Sequence, residues 1–257
     1  TYLVTDVNGN TNTCSFTVLV KDTENPIITG CPANIGPLGN DPGLCGRTVS
    51  WTAPTASDNC PGVSLATTHF PGSFFAIGTT MVTYTATDAG GLTATCTFTV
   101  TIEDTEDPAI TCPADMTVGT DPGSCDAVVS YTAPVGTDNC PGASTSQIAG
   151  LASGATFPIG TTTNTFRVTD GAGNSTTCSF DVTVEDDEAP SITCPASTTV
   201  DTDPGVCTAV VSYSAPVGTD NCPGASTVQT SGLASGSAFP LGTTTNVFTV
   251  TDGAGNT

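Results

Sequence analysis

Residues 170–195 read DGAGNSTTCSFDVTVEDDEAPSITCP, and this stretch decides the fold. It passes from a glycine-rich turn through an alternating strand and an acidic joint to a Cys-Pro pair. Versions of it recur at residues 6–32 and 88–113, and its opening DGAGN returns at residue 252. Self-similarity at a fixed period is the signature of a repeat architecture. The chain is therefore expected to consist of tandem copies of one structural unit.

The cysteines give the period of the repeat. The matching cysteines of the quoted stretch are 82 residues apart each time: Cys14, Cys96 and Cys178. This period divides the chain into the terminal strands of one repeat and three further repeats, the last without its final strand: residues 1–24, 25–106, 107–188 and 189–257. The 12 cysteines include no C-x-x-C pair and accompany a single histidine, which indicates disulfides rather than zinc sites. Such cysteine usage is typical of an oxidising, extracellular compartment.

Apolar and polar residues alternate along each repeat with the period of a half-buried β-strand. The inward faces of the last two strands are predicted to be Cys14, Phe16, Val18 and Val20; Val82, Tyr84 and Ala86; Cys96, Phe98, Val100 and Ile102; Phe166 and Val168; and Cys178, Phe180, Val182 and Val184. Aromatic residues at the end of the second strand are expected to fill the core: Trp51, Tyr131 and Tyr213. No segment has helical periodicity. The pattern predicts an all-β chain of β-sandwiches arranged end to end, with about seven strands in each repeat.

The charge balance excludes several classes of partner. Three basic residues against 24 acidic ones give a formal net charge of −21. Nucleic acid and anionic membrane surfaces both require a basic face, so neither is expected to bind. No apolar run approaches the ~20 residues of a membrane-spanning helix, so membrane insertion is not expected either. Divalent cations are the natural counterions of such a chain.

Several motifs in each repeat resemble the hyalin repeat, or HYR domain. They are the Pro-x-Ile-x-Cys-Pro, Asp-Asn-Cys, Phe-x-x-Gly and Cys-x-Phe motifs, carried in the second repeat by Pro108–Pro113, Asp138–Cys140, Phe157–Asn174 and Thr177–Asp186. The resemblance covers nearly the whole chain. It implies an immunoglobulin-like sandwich of the kind found in extracellular matrix and adhesive proteins, and no catalytic activity.

Four cysteines in each repeat allow three pairings. The immunoglobulin-like order implied by the resemblance places the first and last strands side by side, which favours Cys31–Cys96 and Cys112–Cys178. The remaining cysteines would then pair inside their own repeat, as Cys45–Cys60, Cys125–Cys140 and Cys207–Cys222. On this scheme Cys14 and Cys194 have partners outside the chain or in a neighbouring copy.

Acidic residues concentrate in the joints between repeats and in two loops expected at the same pole. The joint carboxylates are Asp22, Glu24, Glu103, Asp104, Glu106, Glu185, Asp186 and Glu188, and the loop carboxylates are Asp58, Asp88, Asp138, Asp170, Asp220 and Asp252. Strand topology places the end of one repeat against these loops of the next. Carboxylate and carbonyl oxygens are the ligands that Ca²⁺ takes in sets of six to eight. We therefore predict Ca²⁺ sites at the joints; the alternative is that these are solvated linkers whose aspartates form turns.

The sequence predicts a structural, non-catalytic extracellular protein whose repeats form a rod, filament or adhesin stalk. His69 has no catalytic motif around it, and no serine lies in a nucleophile elbow. Copies of the chain or neighbouring repeats are the expected partners. The missing final strand of the last repeat indicates either a window of a longer array or donation of a strand between chains. The alternative function is adhesion to a cell-surface glycan or protein through the loops after Asp-Asn-Cys, which in the first repeat carry His69, Phe70 and Phe74.

Overall fold

The computed structural model describes all 257 residues, which form two compact units, residues 1–106 and 107–257. Every regular element is a β-strand, as predicted. No helix is present that could span a membrane. The first unit contains the terminal hairpin and the first repeat, and the second unit contains the second and third repeats.

The first unit is built from ten strands. They are β1 (Tyr2–Thr5), β2 (Thr11–Cys14), β3 (Ile27–Thr29), β4 (Ile35–Gly39), β5 (Gly46–Val49), β6 (Thr55–Ser57), β7 (Ser64–Thr67), β8 (Ser73–Ala76), β9 (Gly78–Thr87) and β10 (Thr93–Glu103). One four-stranded sheet has the order β4-β10-β9-β7, and the pairs β3-β6 and β5-β8 supply the remaining strand pairings of the repeat. Strand β4 runs parallel to β10, so the beginning and the end of the repeat are neighbours.

The second unit repeats this plan. Its strands are β11 (Met116–Gly119), β12 (Asp126–Val129), β13 (Ser144–Ala149), β14 (Ala155–Pro158), β15 (Gly160–Thr169), β16 (Ser175–Glu185), β17 (Thr208–Val211), β18 (Ser226–Ser231), β19 (Ser237–Pro240) and β20 (Val247–Thr251). In the second repeat the large sheet has the order β11-β16-β15-β13, and β12 pairs with β14. In the third repeat β18 pairs with β20 and β17 pairs with β19.

The predicted inward faces form the cores of the first and second repeats. Phe98, Val100 and Ile102 are at most 2% exposed, and so are their counterparts Phe180, Val182 and Val184. The predicted aromatic residues pack against these cores, Trp51 in the first repeat and Tyr131 in the second. The polar end of Trp51 is also hydrogen-bonded, since its Nε1 donates to Tyr84 Oη at 3.0 Å. Period-2 burial is thus confirmed where a sheet has a partner layer.

The terminal hairpin differs from the prediction. Strands β1 and β2 pair in the expected register, with Tyr2 opposite Cys14 as Phe166 is opposite Cys178. Yet the predicted inward residues Phe16, Val18 and Val20 are 68%, 75% and 89% exposed. The reason is that β2 ends at Cys14, before these residues, and that its two-stranded sheet has no second layer against which an apolar face could pack.

Candidate functional site

The joint between the second and third repeats lies within the second unit, and three segments meet there. The first is the joint itself, which follows β16. The second is the turn of residues 120–124 before β12, which lies at the same pole because β11 runs parallel to β16. The third is the Asp220–Cys222 loop of the next repeat. Carboxylates, amides and cysteines of the two repeats are thereby brought together.

The Asp-Asn-Cys loop of the third repeat binds the turn of the second. Asn221 Nδ2 donates to the carbonyl oxygen of Ser124 at 2.7 Å. The next residue, Cys222, forms a disulfide with Cys125, 97 residues earlier in the chain. The first residue of the loop shapes it, since Asp220 Oδ2 accepts a hydrogen bond from the Cys222 backbone N–H at 2.9 Å. The three residues of the motif therefore have separate roles, since the first forms the turn, the second docks and the third cross-links.

This disulfide corrects the predicted pairing inside each repeat. The bonds Cys31–Cys96 and Cys112–Cys178 form as predicted between the first and last strands. The predicted bonds Cys125–Cys140 and Cys207–Cys222 do not form, because Cys125 and Cys222 bond to each other.

The predicted bond Cys45–Cys60 is also wrong, because Cys60 is a free thiol whereas Cys45 is disulfide-bonded. The physical reason is that the two cysteines lie at opposite ends of the repeat. The second cysteine of a repeat precedes its second strand at one pole, and the Asp-Asn-Cys loop lies at the other, so the two face different neighbours. Four thiols are unpaired: Cys14, Cys60, Cys194 and Cys207.

Two joint carboxylates of the second unit form a compact acidic cluster. One oxygen of Asp186, one of Asp220 and the sulfur of Cys222 all lie within 4.8 Å of one another. Asp186 is only 7% exposed. Its Oδ1 accepts a hydrogen bond from the Glu188 backbone N–H at 3.3 Å. Its Oδ2, like Asp220 Oδ1 and Asn221 Oδ1, is buried without a hydrogen-bond partner. Buried oxygens without donors are what a bound cation would satisfy.

The first unit holds a cluster of the same composition. An oxygen of Asp22, an oxygen of Asp58 and the sulfur of Cys60 lie within 4.8 Å of one another. Asp88, 6% exposed, carries a further buried oxygen, Oδ2, without a partner. In the other repeats an asparagine donates to the equivalent oxygen, as Asn256 Nδ2 does to Asp252 at 2.9 Å, but the residue at that position here is Leu92.

The electrostatics distinguish the two clusters. Burial raises the pKa of Asp186, and the charges of Asp220 and Asp252 raise it further. The pKa of Asp22 is instead lowered, first by the hydrogen bond from the Glu24 backbone and then by the Cys60 thiol. Burial and two neighbouring carboxylates make the charged form of Asp186 unfavourable. A bound divalent cation would therefore stabilise Asp186 more than Asp22.

The structure does not bring every predicted ligand into these clusters. The side chains of Glu24, Glu103 and Glu185 are exposed. Two joint glutamates bind the neighbouring turns: Glu106 Oε2 accepts from Gly43 N, and Glu188 Oε2 from Gly123 N, each at 2.8 Å.

The loop aspartates Asp170 and Asp252 accept hydrogen bonds from the backbone of their own turns. Each accepts three backbone N–H groups on Oδ1. Although burial raises the pKa of Asp252, the hydrogen bonds from Asn256 and the turn lower it overall. Of the remaining two predicted ligands, Asp104 is buried, and Asp138 Oδ1 is buried without a hydrogen-bond partner.

The docking role of the asparagine in Asp-Asn-Cys was not predicted from the sequence. A second asparagine, Asn256, also joins the repeats, since its Nδ2 donates to the Asp186 carbonyl at 3.0 Å. The signal for the first contact is the asparagine of Asp-Asn-Cys, since the turn of that loop requires only its aspartate. A prediction that treats each repeat as a closed domain does not reveal contacts across a joint.

Comparison with known proteins agrees with this architecture. The family model described as HYR domain matches residues 21–102, 103–184 and 185–257. Hyalin of Strongylocentrotus purpuratus is 38% identical over the whole chain, and hyalin of Lytechinus variegatus is 34% identical over 99% of it. The chain spans 22% and 49% of the length of these two relatives.

A third relative and one solved structure complete the comparison. A serine-rich adhesin for platelets from Staphylococcus aureus is 31% identical over 70% of the chain and 13% of its own length. Among solved structures, extracellular cadherin domains 3–6 of protocadherin gamma B2 align over 98% of the chain and 78% of their own, with 18% identity and a TM-score of 0.35. The hyalin and adhesin relatives, with the disulfides, place the chain outside the cell or at its surface.

Proposed function

Because this chain belongs to the HYR domain family, with matches to all three of its repeats, we propose that it is a structural, non-catalytic part of an extracellular fibre, matrix or adhesin stalk. Its repeats act as a rod whose length and stiffness are the function. In tandem arrays, stability and stiffness depend on the contacts between neighbouring repeats as well as on each repeat.

The observation that carries this proposal is the joint inside the second unit. A flexible linker needs no bond across it, whereas this joint has a disulfide, two asparagine hydrogen bonds and a glutamate bound to the adjoining turn. Each contact lies beside the others and restricts a different part of the joint. A protein that only displays binding loops would not require them.

Ca²⁺ binding at the joints is the finer part of the proposal. The supporting observations are the partnerless buried oxygens of Asp186, Asp220 and Asn221, and the absence of any basic side chain in that cluster. Oxygen donors alone suit Ca²⁺, and their number leaves room for backbone carbonyls or water to complete its coordination. The bound ion would offset the mutual repulsion of the carboxylates and stiffen the joint.

Calorimetric titration with CaCl₂ tests the Ca²⁺ site. We expect Asp220→Asn to weaken binding by about tenfold or more, as removal of a charged ligand costs at least about 1.4 kcal/mol. The matched control is Asp187→Asn, which removes the same charge from an exposed joint residue outside the cluster. Equal weakening by both substitutions would show a general charge effect and contradict a defined site.

Strand donation between copies would extend the rod into a filament. In the second repeat β15 is covered on one side by β16, whereas in the third repeat the equivalent strand β20 pairs only with β18. Residues 11–20 have the sequence pattern of β16 and expose Phe16 and Val18. If β2 of one copy paired with β20 of another, Cys14 and Cys194 would meet as Cys112 and Cys178 do.

Adhesion is the second candidate function, favoured by the aromatic residues of the first unit. Phe70 and Phe74 are 70% and 52% exposed, and the His69 ring packs against Phe75 at a tilt of 33° with ring centroids 5.1 Å apart. Exposed aromatic rings are typical of glycan- and protein-binding surfaces. Binding to a glycan array that is lost in Phe70→Ala/Phe74→Ala would establish this function in place of a purely structural one.

A further inference from the structure

One five-residue turn occurs four times in the chain, at residues 6–10, 88–92, 170–174 and 252–256. It begins with aspartate in every copy and ends with asparagine in three of them, Asn10, Asn174 and Asn256, whereas residue 92 is leucine. In those three copies Nδ2 of the asparagine donates to Oδ2 of the aspartate, at 2.8, 2.8 and 2.9 Å. The aspartate of the fourth copy, Asp88, therefore lacks a side-chain donor that its counterparts have.

The leucine leaves the backbone of the turn unchanged. Asp88 N donates to the Leu92 carbonyl at 3.1 Å, and Asp252 N donates to the Asn256 carbonyl at the same distance. Oδ1 of each aspartate accepts the backbone N–H of the fifth residue at 2.8 Å. The two carboxylates are thus placed alike, but Asp252 Oδ2 has a donor whereas Asp88 Oδ2 is buried without one.

In the second unit the asparagine also ties the turn to the joint. Asn256 Nδ2 donates to the carbonyl oxygens of Asp186 and Glu188, at 3.0 and 3.4 Å. The residues equivalent to this pair in the joint of residues 21–26 are Asp22 and Glu24. Because a leucine side chain has no donor, Leu92 cannot form these bonds. The joint of the first unit therefore lacks one device that holds the joint of the second.

Unpartnered carboxylate oxygens take the place of that device in the first unit. Asp88 is 6% exposed, and Asp22 Oδ2 is also buried without a hydrogen-bond partner. Both side chains lie over the same turn, since a Cβ added to Gly90 would be 3.4 Å from Asp88 Oδ1 and 3.7 Å from the Asp22 Cβ. With Asp58 they lie close together around Cys60. Buried oxygens of this kind require a donor or a cation.

We propose that a Ca²⁺ ion shared by Asp22, Asp58 and Asp88 takes the place of the asparagine in this joint, so that residue 92 sets how far the joint depends on the ion. The inference rests on the proposed Ca²⁺ sites and names a residue that controls their strength. An ion that ligates Asp88 Oδ2 together with Asp22 links the turn to the joint, as the hydrogen bonds of Asn256 do in the second unit.

The choice between asparagine and leucine changes what the aspartate can offer a metal. A carboxylate oxygen that accepts an N–H bond has given one lone pair to it, and the positive end of the donor repels a cation. Asp88 Oδ2 has no such donor and is a stronger ligand than the same oxygen would be beside an asparagine. A joint with leucine should therefore be loose without Ca²⁺ and firm with it, whereas asparagine holds a joint in both states.

Amide signals in NMR spectra of the full chain distinguish the two turns during titration with CaCl₂. Gly90 and Gly91 report the turn at Asp88, and Gly253 and Gly255 report the turn at Asp252. Leu92→Asn is expected to weaken the binding seen at Gly90 by about tenfold, because the new amide competes with the ion for Asp88 Oδ2. The binding seen at Gly253 should not change. The variant should fold, since three turns with the same sequence pattern carry asparagine.

Leu92→Ala is the matched control, because it removes the leucine side chain without adding a donor. It should leave the binding seen at Gly90 within about twofold of the unsubstituted protein, since one half-buried apolar side chain is lost but every oxygen ligand stays. Equal weakening by the alanine and asparagine variants would show that the bulk of the leucine matters and not the missing donor, and would overturn the proposal.

Amide hydrogen exchange in EDTA gives a readout that does not require the ion. The Glu24 N–H donates to Asp22 Oδ1 at 3.1 Å and so reports the joint. Asparagine at position 92 would donate to the carbonyls of this joint, so Leu92→Asn should slow exchange at Glu24 by about tenfold. CaCl₂ should slow exchange at Glu24 strongly in the unsubstituted protein and less in the variant. An equal effect of CaCl₂ on both would contradict the substitution of ion for asparagine.

Failure of this inference can be told apart from failure of the proposed Ca²⁺ sites. If Leu92→Asn leaves binding at Gly90 unchanged while Asp220→Asn weakens binding at Gly253, the sites stand and the role of residue 92 is wrong. If CaCl₂ moves the signals of Gly253 but not those of Gly90, the ion does not bind in the first unit and the inference fails alone. If CaCl₂ moves neither set, the Ca²⁺ sites themselves are wrong.

Discussion

At the scale of single residues, Asp186 carries its negative charge in surroundings that disfavour it. Its carboxylate is buried, faces Asp220 and Asp252, and leaves one oxygen without a donor. A residue that destabilises the metal-free protein and binds the metal should change the sign of its effect when the metal is added.

Asp186→Asn is expected to show this change of sign. Because the folded pKa of Asp186 is raised, the folded state binds more protons than the unfolded state above the ordinary value of 3.8, and stability falls as pH rises through that window. In EDTA at neutral pH the substitution should therefore raise the melting temperature. In saturating CaCl₂ it should lower it relative to the unsubstituted protein. A melting temperature that is lower in both conditions would contradict the assignment.

The limits of the sequence prediction are also clearest at single residues. The clustering of Asp186 with Asp220 follows from strand topology and was predicted. The bond of Cys125 to Cys222 was not, because periodicity compares equivalent positions in different repeats and is silent about which positions touch across a joint. The exposure of Phe16 was missed for a related reason: alternation identifies the apolar face of a strand but does not supply the layer that covers it.

At the scale of elements, the two kinds of disulfide have different mechanical roles. Cys112–Cys178 joins the first and last segments of one repeat over 66 residues, so it restricts the unfolded state of that repeat. Cys125–Cys222 joins the turn before β12 to a loop of the next repeat, so it restricts the movement of two folded repeats. The first bond therefore stabilises one folded repeat, and the second limits the orientation of the third repeat relative to the second.

Substituting each pair by serine should separate these roles. Cys112→Ser/Cys178→Ser is expected to cost the second repeat about 4 kcal/mol in denaturant unfolding. It should also speed amide hydrogen exchange along β11 and β16. Cys125→Ser/Cys222→Ser should leave exchange in those strands unchanged and speed it only at the joint, above all at Gly123. Faster exchange throughout the second repeat in the latter variant would mean that the inter-repeat bond holds the sandwich itself.

At the scale of the whole molecule, the negative charge of the chain opposes the association of copies that strand donation would require. The net charge of −21 repels a second copy, and Asp22, Asp58 and Asp88 lie close together around Cys60. The turn before Cys207 adds Asp201 and Asp203. Screening of like charges should therefore control how fast copies meet.

Self-association by strand donation, followed as the Cys14–Cys194 cross-link between copies, should accordingly depend on both salt and the identity of the cation. Raising NaCl from a few millimolar to physiological strength is expected to speed this cross-linking by about tenfold, because salt screens the repulsion that slows the encounter of like-charged copies. At equal ionic strength CaCl₂ should be faster still, because an ion bound among Asp22, Asp58 and Asp88 removes negative charge from the end of the chain that carries the donated strand. Asp58→Asn should abolish the excess effect of Ca²⁺ while keeping the response to NaCl. Equal rates in CaCl₂ and NaCl at matched ionic strength would show that the cation screens the whole chain and is not bound at the joint.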